Sequence, residues 1–160
     1  MTEFDAVAVG RRVLGAEADA LRQQADELGE AFAKAVDLLY AAKGRVILTG
    51  IGKSGHVAKK IAATFASTGT PAFFVHANEA SHGDLGMIAD GDVILALSKS
   101  GQNSELADVI AYSRRFHIPL IAITGSDESP LGQAADVVLK LADAPEGTAE
   151  VKARSEERRV

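Results

Sequence analysis

The first quarter of the chain carries apolar residues at helical spacing among many charged and polar ones. This pattern predicts a helical arm over residues 3–42, with apolar positions at Val13, Leu14, Leu21, Leu28, Phe32, Val36 and Leu39. Gly10, Gly15 and Gly29 fall inside the arm, and each costs about 1 kcal/mol relative to Ala in a helix interior, so the helix can break there. An arm of this kind packs either on a partner subunit or on the sheet of its own chain.

Short apolar runs replace this spacing from Lys43 onward. They predict helices at about 53–68 and 103–116, an irregular loop at 77–91, a turn-rich segment at 125–135, and strands at 45–50, 72–76, 92–98, 119–124 and 137–140. Strands that alternate with helices are typical of a parallel sheet with right-handed crossovers. We therefore predict an α/β fold, a doubly wound, five-stranded parallel sheet with helices on both faces, preceded by the N-terminal helical arm. Such folds bind ligands at the carboxyl ends of the strands.

Length and composition favour one compact domain. Of the 160 residues 47% are apolar and only 5% are aromatic, so the core must consist of Val, Ile, Leu and Ala, as in a buried parallel sheet. The end of the chain differs, because its charged residues leave almost nothing apolar to bury. We therefore predict one domain over residues 1–146 and a charged tail over residues 147–160 that is either disordered or a solvated helix.

Charge and residue content exclude several functions. A net charge of −5 disfavours nucleic acid as a partner, since binding the phosphate backbone needs a basic surface. The lack of cysteine excludes disulfides, thiolate catalysis and cysteine metal sites. The N-terminus shows no signal-peptide pattern, and no apolar run reaches the ~18 residues of a membrane span. We therefore expect a cytoplasmic protein that binds neither membrane nor nucleic acid.

Two loops with the tripeptide Lys-Ser-Gly, at 53–55 and 99–101, follow predicted strands and precede predicted helices. Backbone N–H groups and serine hydroxyls in such loops can bind an anion at a helix N-terminus. The first loop also contains Gly50-x-Gly52-x-x-Gly55, which matches the dinucleotide-binding fingerprint. That fingerprint needs an acidic residue at the end of the next strand, where this chain has His76, so a dinucleotide is the weaker interpretation.

The second loop carries three serines within seven residues at a predicted strand-to-helix turn. Capping of the following helix by Asn103 or Ser104 would account for only one hydroxyl. Three serines therefore favour a phosphate site formed by Ser98, Ser100 and Ser104. Glu105, in the first turn of that helix, either complements the helix dipole or acts as a general base.

His82 lies in a polar loop after the second predicted strand. With His76, Glu79 and Asp84 it could imitate a metal site, but the spacing matches no standard ligand pattern, so we predict no metal. A loop histidine near the strand ends is better explained as a proton-transfer or hydrogen-bonding group.

Four segments, at 49–56, 62–76, 79–87 and 98–105, closely resemble the sugar-isomerase (SIS) domain of bacterial D-arabinose 5-phosphate isomerases. The most specific of them contains Ala80-Ser81-His82-Gly83-Asp84. The resemblance implies interconversion of D-ribulose 5-phosphate and D-arabinose 5-phosphate through an enediol, without a cofactor. That reaction supplies the precursor of Kdo, an acidic sugar of lipopolysaccharide or capsule.

The resemblance also implies roles for particular residues and partners. Lys53 would meet the phosphate or the developing enediolate charge. His82, from the same or a neighbouring subunit, would assist the transfer of hydroxyl protons or the opening of the sugar ring. Glu105 would be the base and Glu146 a further functional acid. The implied substrate- and phosphate-binding residues are Gly52, Ser54, Ser98, Ser100, Gly101 and Ser104. The implied partners are a phosphorylated pentose, an activated Kdo nucleotide as a feedback ligand, and further copies of the chain in a homotetramer.

The chain departs from the family pattern after Glu146. Members normally continue with a further helix, a segment bearing another functional histidine and, in most cases, a pair of CBS modules. Here charged residues follow instead, and no histidine comes after His117. We therefore expect the last part of the SIS domain and the CBS pair to be missing. The alternative function is a non-catalytic module that binds a phosphosugar or a nucleotide-sugar.

Overall fold

The computed structural model describes residues 5–144. They belong to two compact units, one formed by Gly29–Leu141 and one by the described parts of Met1–Leu28 and Ala142–Val160. The smaller unit contains helix α1 (Ala6–Asp26), whose first turn is capped by Asp5. The Asp5 carboxylate accepts the backbone N–H groups of Val7 and Ala8 at 3.0 and 2.9 Å. Among the described residues, no helix is both long and apolar enough to cross a membrane.

The predicted helical arm consists of two helices. Helix α2 (Glu30–Ala41) begins after Gly29, one of the three glycines at which the sequence permits a break. Gly29 has extended backbone, with φ of −150° and ψ of −150°, and stands at the N-cap of α2. Gly10 and Gly15 remain inside α1. The predicted helical arm is therefore confirmed, and it breaks at one of the three glycines at which the sequence permits a break.

Five strands and the helices between them form the larger unit, Gly29–Leu141. The strands are β1 (Val46–Gly50), β2 (Ala72–His76), β3 (Val93–Leu97), β4 (Leu120–Thr124) and β5 (Val137–Lys140). Besides α2, its helices are α3 (Gly52–Ser67), α4 (Ala77–Ser81), α5 (Ala107–Phe116) and α6 (Pro130–Ala134), with 3-10 helices at Asp84–Met87 and Ser104–Leu106. All five predicted strands are confirmed to within one residue at each end.

Two segments predicted to be irregular contain short helices. Helix α4 lies in the predicted loop, where the Nδ1 atom of His76 accepts the N–H of Asn78 at 3.3 Å. Helix α6 lies in the predicted turn segment, where the Ser129 hydroxyl accepts the N–H of Gly132 at 3.1 Å. Pro130 opens α6 at a position where a missing N–H costs nothing. Such helices escape prediction because five residues are too few to show a helical period.

The strands form one parallel sheet in the order β2-β1-β3-β4-β5. This arrangement confirms the predicted doubly wound α/β class. The order reverses between β1 and β3, and ligands of such sheets usually bind in the crevice outside the carboxyl ends of the two strands at the reversal. The strand order therefore predicts a ligand site at the loops after β1 and β3.

Alternate residues of each strand pack on opposite faces of the sheet. On one face, Val46 and Leu48 of β1 share a core cluster with residues of α2 and α3, namely Ala35, Ala58 and Ala62. On the other face, Ile47 shares a cluster with residues of α4, α5 and α6, namely Ala77, Ala80, Val109 and Leu131. Helices thus cover both faces, as predicted.

An ion pair between the buried Asp92 and the partly exposed Arg45 joins the amino ends of β1 and β3. The Asp92 side chain is only 2% exposed and lies 3.0 Å from the Arg45 guanidinium. Its carboxylate also accepts the backbone N–H groups of Arg45 and Ala89 at 2.7 and 2.9 Å. Burial raises the pKa of Asp92, but these hydrogen bonds outweigh burial and hold the pKa below its ordinary value of 3.8. The same guanidinium donates to the Met87 carbonyl at 2.7 Å and so fastens the segment after α4 to the sheet.

Candidate active site

The carboxyl ends of three neighbouring strands lie level with one another. Gly50, the last residue of β1, pairs with His76 at the end of β2 and with Leu97 at the end of β3. The segments that follow these strands therefore begin at one edge of the sheet, beside the crevice at β1 and β3. Nearly all the residues singled out in the sequence lie on these three segments.

Glycine brings the first of these segments close to the neighbouring strand. A Cβ added to Gly50 would lie 2.9 Å from the carbonyl oxygen of Leu97. One added to Gly55 would lie 2.8 Å from the carbonyl oxygen of Gly50. The glycine spacing that resembles a dinucleotide fingerprint therefore has a packing cause in this chain, the close approach of α3 to the end of β1.

Lys53 and Ser54 lie in the first turn of α3. They directly follow Gly52, whose φ of 54° turns the chain into the helix. Lys53 is exposed and Ser54 is half-buried. The first N–H groups of a helix lack intrahelical acceptors, so an amine and a hydroxyl beside them form an arrangement that can bind an oxyanion.

Ser98 is buried inside the second segment. The residue is only 1% exposed, and its hydroxyl donates to Asn103 Oδ1 at 2.5 Å and accepts the N–H of Gly101 at 3.0 Å. Gly101 has a φ of 67°, and a Cβ at this position would collide with the Ser129 side chain. These contacts close residues 98–103 into a tight loop, which we call the serine loop. Its shape is thus held by internal hydrogen bonds.

Ser100 and Ser104 are more accessible than Ser98. Ser100 is half-buried and its hydroxyl accepts the N–H of Gln102 at 3.2 Å. Ser104 is exposed and its hydroxyl donates to Glu105 Oε2 at 3.2 Å. The three serines predicted to hold a phosphate therefore lie close along the chain but in different environments, with Ser98 internal and the other two reaching solvent.

Glu105 lies in the 3-10 helix that leads into α5. It is half-buried, while its neighbour Leu106 is fully buried in the core cluster that also contains residues of α4. Leu106 thus anchors the backbone that carries the Glu105 carboxylate. Both functions considered from the sequence, complementing the helix dipole and acting as a general base, fit a partly exposed acid at this position.

His82 directly follows α4 and is exposed. Because Ala77 and Ala80 share a cluster with Leu106, α4 packs against the helical turn that carries Glu105. Packing thus brings together the segments of His82 and Glu105, which are distant in sequence. Within residues 5–144, no cluster of three or more acidic or histidine side chains is arranged to hold a metal ion.

Glu146 lies outside the described residues, as does the charged segment 147–160. The role of Glu146, the domain boundary at 146 and the disordered tail therefore stay predictions.

Asn103 is a residue of this site that sequence reasoning missed. The sequence suggests it only as a helix cap, and it does stand at the N-cap of the 3-10 helix. It makes no side-chain capping bond, however, and its Oδ1 accepts the Ser98 hydroxyl instead. No local pattern signals this contact, because it depends on a loop closed over five residues.

Comparisons with known proteins agree with this geometry. Residues 38–155 match the SIS domain family. Arabinose 5-phosphate isomerase KdsD of Pseudomonas aeruginosa is 53% identical over 136 residues, which make up 85% of this chain and 42% of that protein. KdsD of Escherichia coli strain K12 is 48% identical over 136 residues, with the same coverage of 85% and 42%. The chain thus spans less than half the length of these curated relatives.

Solved structures resemble this chain over nearly its whole length. The complex of E. coli CFT073 c3406 with arabinose 5-phosphate has a TM-score of 0.89 and 36% sequence identity, covering 97% of this chain and 82% of that one. Phosphoheptose isomerase GmhA of Neisseria gonorrhoeae shares the fold, with a TM-score of 0.71, 21% identity and coverage of 86% and 88%. Sequence, strand order and the residues at the crevice lead to the same conclusion: this chain belongs to the SIS domain family.

Proposed function

We propose that this chain is an aldose–ketose isomerase that interconverts D-ribulose 5-phosphate and D-arabinose 5-phosphate through an enediol. The observation that carries the proposal is that the segments of Lys53, Glu105 and the serine loop begin at one edge of the sheet, in a chain about half identical to two KdsD isomerases. In this function the chain supplies the precursor of Kdo for lipopolysaccharide or capsule.

The reaction moves one proton between two neighbouring carbons. A base takes the proton from the carbon next to the carbonyl of one sugar, which leaves an enediol, and the proton is then returned to the former carbonyl carbon. Glu105 is the proposed base for both transfers. His82 moves the hydroxyl proton between the two oxygens, and Glu146 supplies a further acid. Atoms and charge balance without any other reactant.

The remaining residues hold the substrate and stabilise charge. Ser54, Ser100 and Ser104, with the N–H group of Gly52, bind the phosphate group at the two loops, while the N–H of Gly101 donates to Ser98 and holds the serine loop in shape. The Lys53 amine lies near the oxygen that becomes negative as the enediol forms. Stabilisation of such an oxyanion in a closed site is worth several kcal/mol, roughly 2.7–4 for one donor.

An isomerase assay tests this proposal. The chain incubated in D₂O with D-arabinose 5-phosphate should form D-ribulose 5-phosphate that carries deuterium at C1, because the proton on the base exchanges with solvent before it is returned. Proton NMR measures this directly. A Lys53→Met variant serves as the matched control and should be much slower. Thermal stabilisation by the phosphosugar without conversion would contradict catalysis and favour the non-catalytic binding module. Stabilisation by NAD alone would favour a dinucleotide instead.

The proposed assembly is a homotetramer. Two stripes of exposed apolar side chains support it, one on α1 at Val7, Leu14 and Leu21 and one on α2 at Phe32, Val36 and Tyr40. Tyr40 is 93% exposed in the single chain, which is unusual for a large aromatic residue at the end of an apolar stripe.

Light scattering at micromolar concentration tests the assembly. The expected mass is about four times the 16.7 kDa of one chain. Tyr40→Glu should lower the mass, because it places a charge within the α2 stripe. Phe116→Glu, at an exposed apolar residue on α5, should leave the mass unchanged. A monomer at this concentration would contradict the proposal.

The family resemblance extends the proposal to regulation and location. An activated Kdo nucleotide should inhibit the isomerase, which its addition to the same assay would reveal. The chain is proposed to act in the cytoplasm.

A further inference from the structure

We propose that two exposed lysines of α3, Lys59 and Lys60, draw the negatively charged substrate to the crevice by long-range electrostatic attraction. This inference rests on the proposed function and deepens it, because it adds residues that govern how often the substrate reaches the site. Three observations carry it: the charge pattern of α3, the position of this helix at the crevice, and a contact that holds the Lys59 amine.

The chain as a whole repels an anion. Its net charge is −5, and a phosphate monoester carries a charge of about −1.5 to −2 at pH 7. Two acidic residues, Glu79 and Glu105, also lie on segments that begin at the edge of the sheet where the substrate is proposed to bind. A phosphosugar is therefore attracted to this edge only where positive charge is locally in excess.

Helix α3 provides such an excess. Its 16 residues include Lys53, Lys59 and Lys60 and contain no Asp or Glu. The other long helices of the described chain, α1, α2 and α5, each contain at least one acidic residue. Lys59 and Lys60 are exposed, and within residues 5–144 neither forms an ion pair that would neutralise it. Their charges therefore act on the solvent around α3.

The amino end of α3 lies at the crevice, directly after β1. Lys59 and Lys60 follow Lys53 in the next turns of the helix, about 9–10 Å further along its axis. This distance is close to the Debye length of about 10 Å at 0.1 M salt and well inside the roughly 30 Å at 0.01 M. Both charges consequently act on an anion at the crevice at low salt and are screened from it at high salt.

A cation–π contact holds one of the two charges. The Lys59 Nζ atom lies 5.0 Å from the centre of the Phe74 ring. A Cβ added to Gly55, in the first turn of α3, would lie 3.5 Å from the same ring. The ring also contacts that of His76, the last residue of β2, with 6.1 Å between their centres. The Lys59 amine is therefore held beside a side chain that lies near the crevice end of the sheet.

Replacing both lysines by glutamine tests the attraction. At 10 mM ionic strength, Lys59→Gln/Lys60→Gln should lower kcat/KM for D-arabinose 5-phosphate about three- to tenfold, because two attractive charges roughly 10 Å from a dianion are lost. The value of kcat should not change, since neither lysine touches the reacting atoms. At 0.5 M salt the loss should shrink to less than about twofold. A loss that persists at 0.5 M salt, or that comes with a lower ligand-free thermal midpoint, would overturn the inference.

Lys43→Gln/Arg115→Gln is the matched control. Both residues are exposed and lie at the opposite edge of the sheet, Lys43 before β1 and Arg115 in the last turn of α5, before β4. This variant changes the net charge by the same amount, and its kcat/KM should stay within about twofold of the parent at both salt concentrations. An equal loss in the two double variants would mean that the net charge of the chain, and not α3, governs the approach of the substrate.

Charge reversal and a binding measurement complete the test. Lys59→Glu/Lys60→Glu changes the charge twice as much as the glutamine variant, so the logarithm of kcat/KM at 10 mM ionic strength should fall about twice as far. No further fall would contradict an electrostatic cause.

Isothermal titration with D-arabinose 5-phosphate should show the same ratios in affinity. If the parent chain binds the phosphosugar without converting it, the proposed function fails and the affinities still decide this inference. If the parent converts it with a kcat/KM that salt does not change, only this inference fails.

Discussion

Replacing Glu105 by Gln should lower kcat by about 10²–10⁴-fold while leaving the affinity for D-arabinose 5-phosphate nearly unchanged. Glutamine has the shape of glutamate and can still accept the Ser104 hydroxyl, which donates to the Glu105 carboxylate at 3.2 Å. Leu106 remains buried and holds the backbone in place. What is lost is the ability to take a proton from carbon. Single-turnover kinetics together with isothermal titration measure the two effects separately.

Asp108→Asn is the matched control for Glu105→Gln. Asp108 is exposed, lies in the first turn of α5 and has the same charge. It therefore contributes to the helix dipole as Glu105 does, but it lies outside the 3-10 helix that carries Glu105. If both variants lose turnover to the same small extent, Glu105 complements the helix dipole and is not the general base. A turnover of Glu105→Gln within a factor of a few of the parent would also contradict the role of Glu105 as base.

Replacing Asp92 by Asn should destabilise the fold by about 3 kcal/mol without changing the crevice. The carboxylate is buried and accepts four hydrogen bonds, from the Ala89 N–H and from the backbone and guanidinium of Arg45. An asparagine would place an N–H₂ group against one set of these donors and remove the charge that pairs with Arg45. Urea unfolding at pH 7 measures the loss. Asp127→Asn, which breaks an exposed ion pair to Lys140, should change stability little.

The contribution of Asp92 should also depend on pH. Its pKa in the folded chain lies below the ordinary 3.8, so the folded state favours the charged carboxylate. The stabilisation is therefore complete above that ordinary value and is lost as pH falls through the lower, folded pKa. The difference between parent and Asp92→Asn should shrink over that interval. A difference that stays constant down to the lowest pH at which both fold would contradict the assigned pKa direction.

The sheet could be predicted because its signal is local. Each strand is a short apolar run such as Val93–Leu97, and each run is long enough to be recognised as a strand without knowing which strands it pairs with. Short helices were missed for the opposite reason. The boundaries of α4 and α6 depend on single capping contacts, from His76 and from Ser129 with Pro130, and not on a repeating pattern.

The placement of the proposed site residues follows only in part from the sequence. The family motif selects Lys53, His82 and Glu105, and the sheet order places the segments that carry them at one edge. The motif treats Ser98, Ser100 and Ser104 as equivalent, whereas Ser98 is buried and bonded on both sides. Burial of a hydroxyl depends on how the whole loop closes, including the contact of Gly101 with Ser129 from a later segment.

The sequence by itself determined the strands and the parallel α/β class, and it selected the segments that carry the proposed site residues, because periodicity and motif spacing are properties of adjacent positions. Only the tertiary structure decided the strand order, the crevice between β1 and β3, and which serine hydroxyls at the serine loop are buried and which reach solvent. Each of these depends on contacts between residues far apart in the chain. Gly50 beside Leu97 and Ala80 beside Leu106 are such contacts, and they form because apolar surfaces and backbone groups must be buried together.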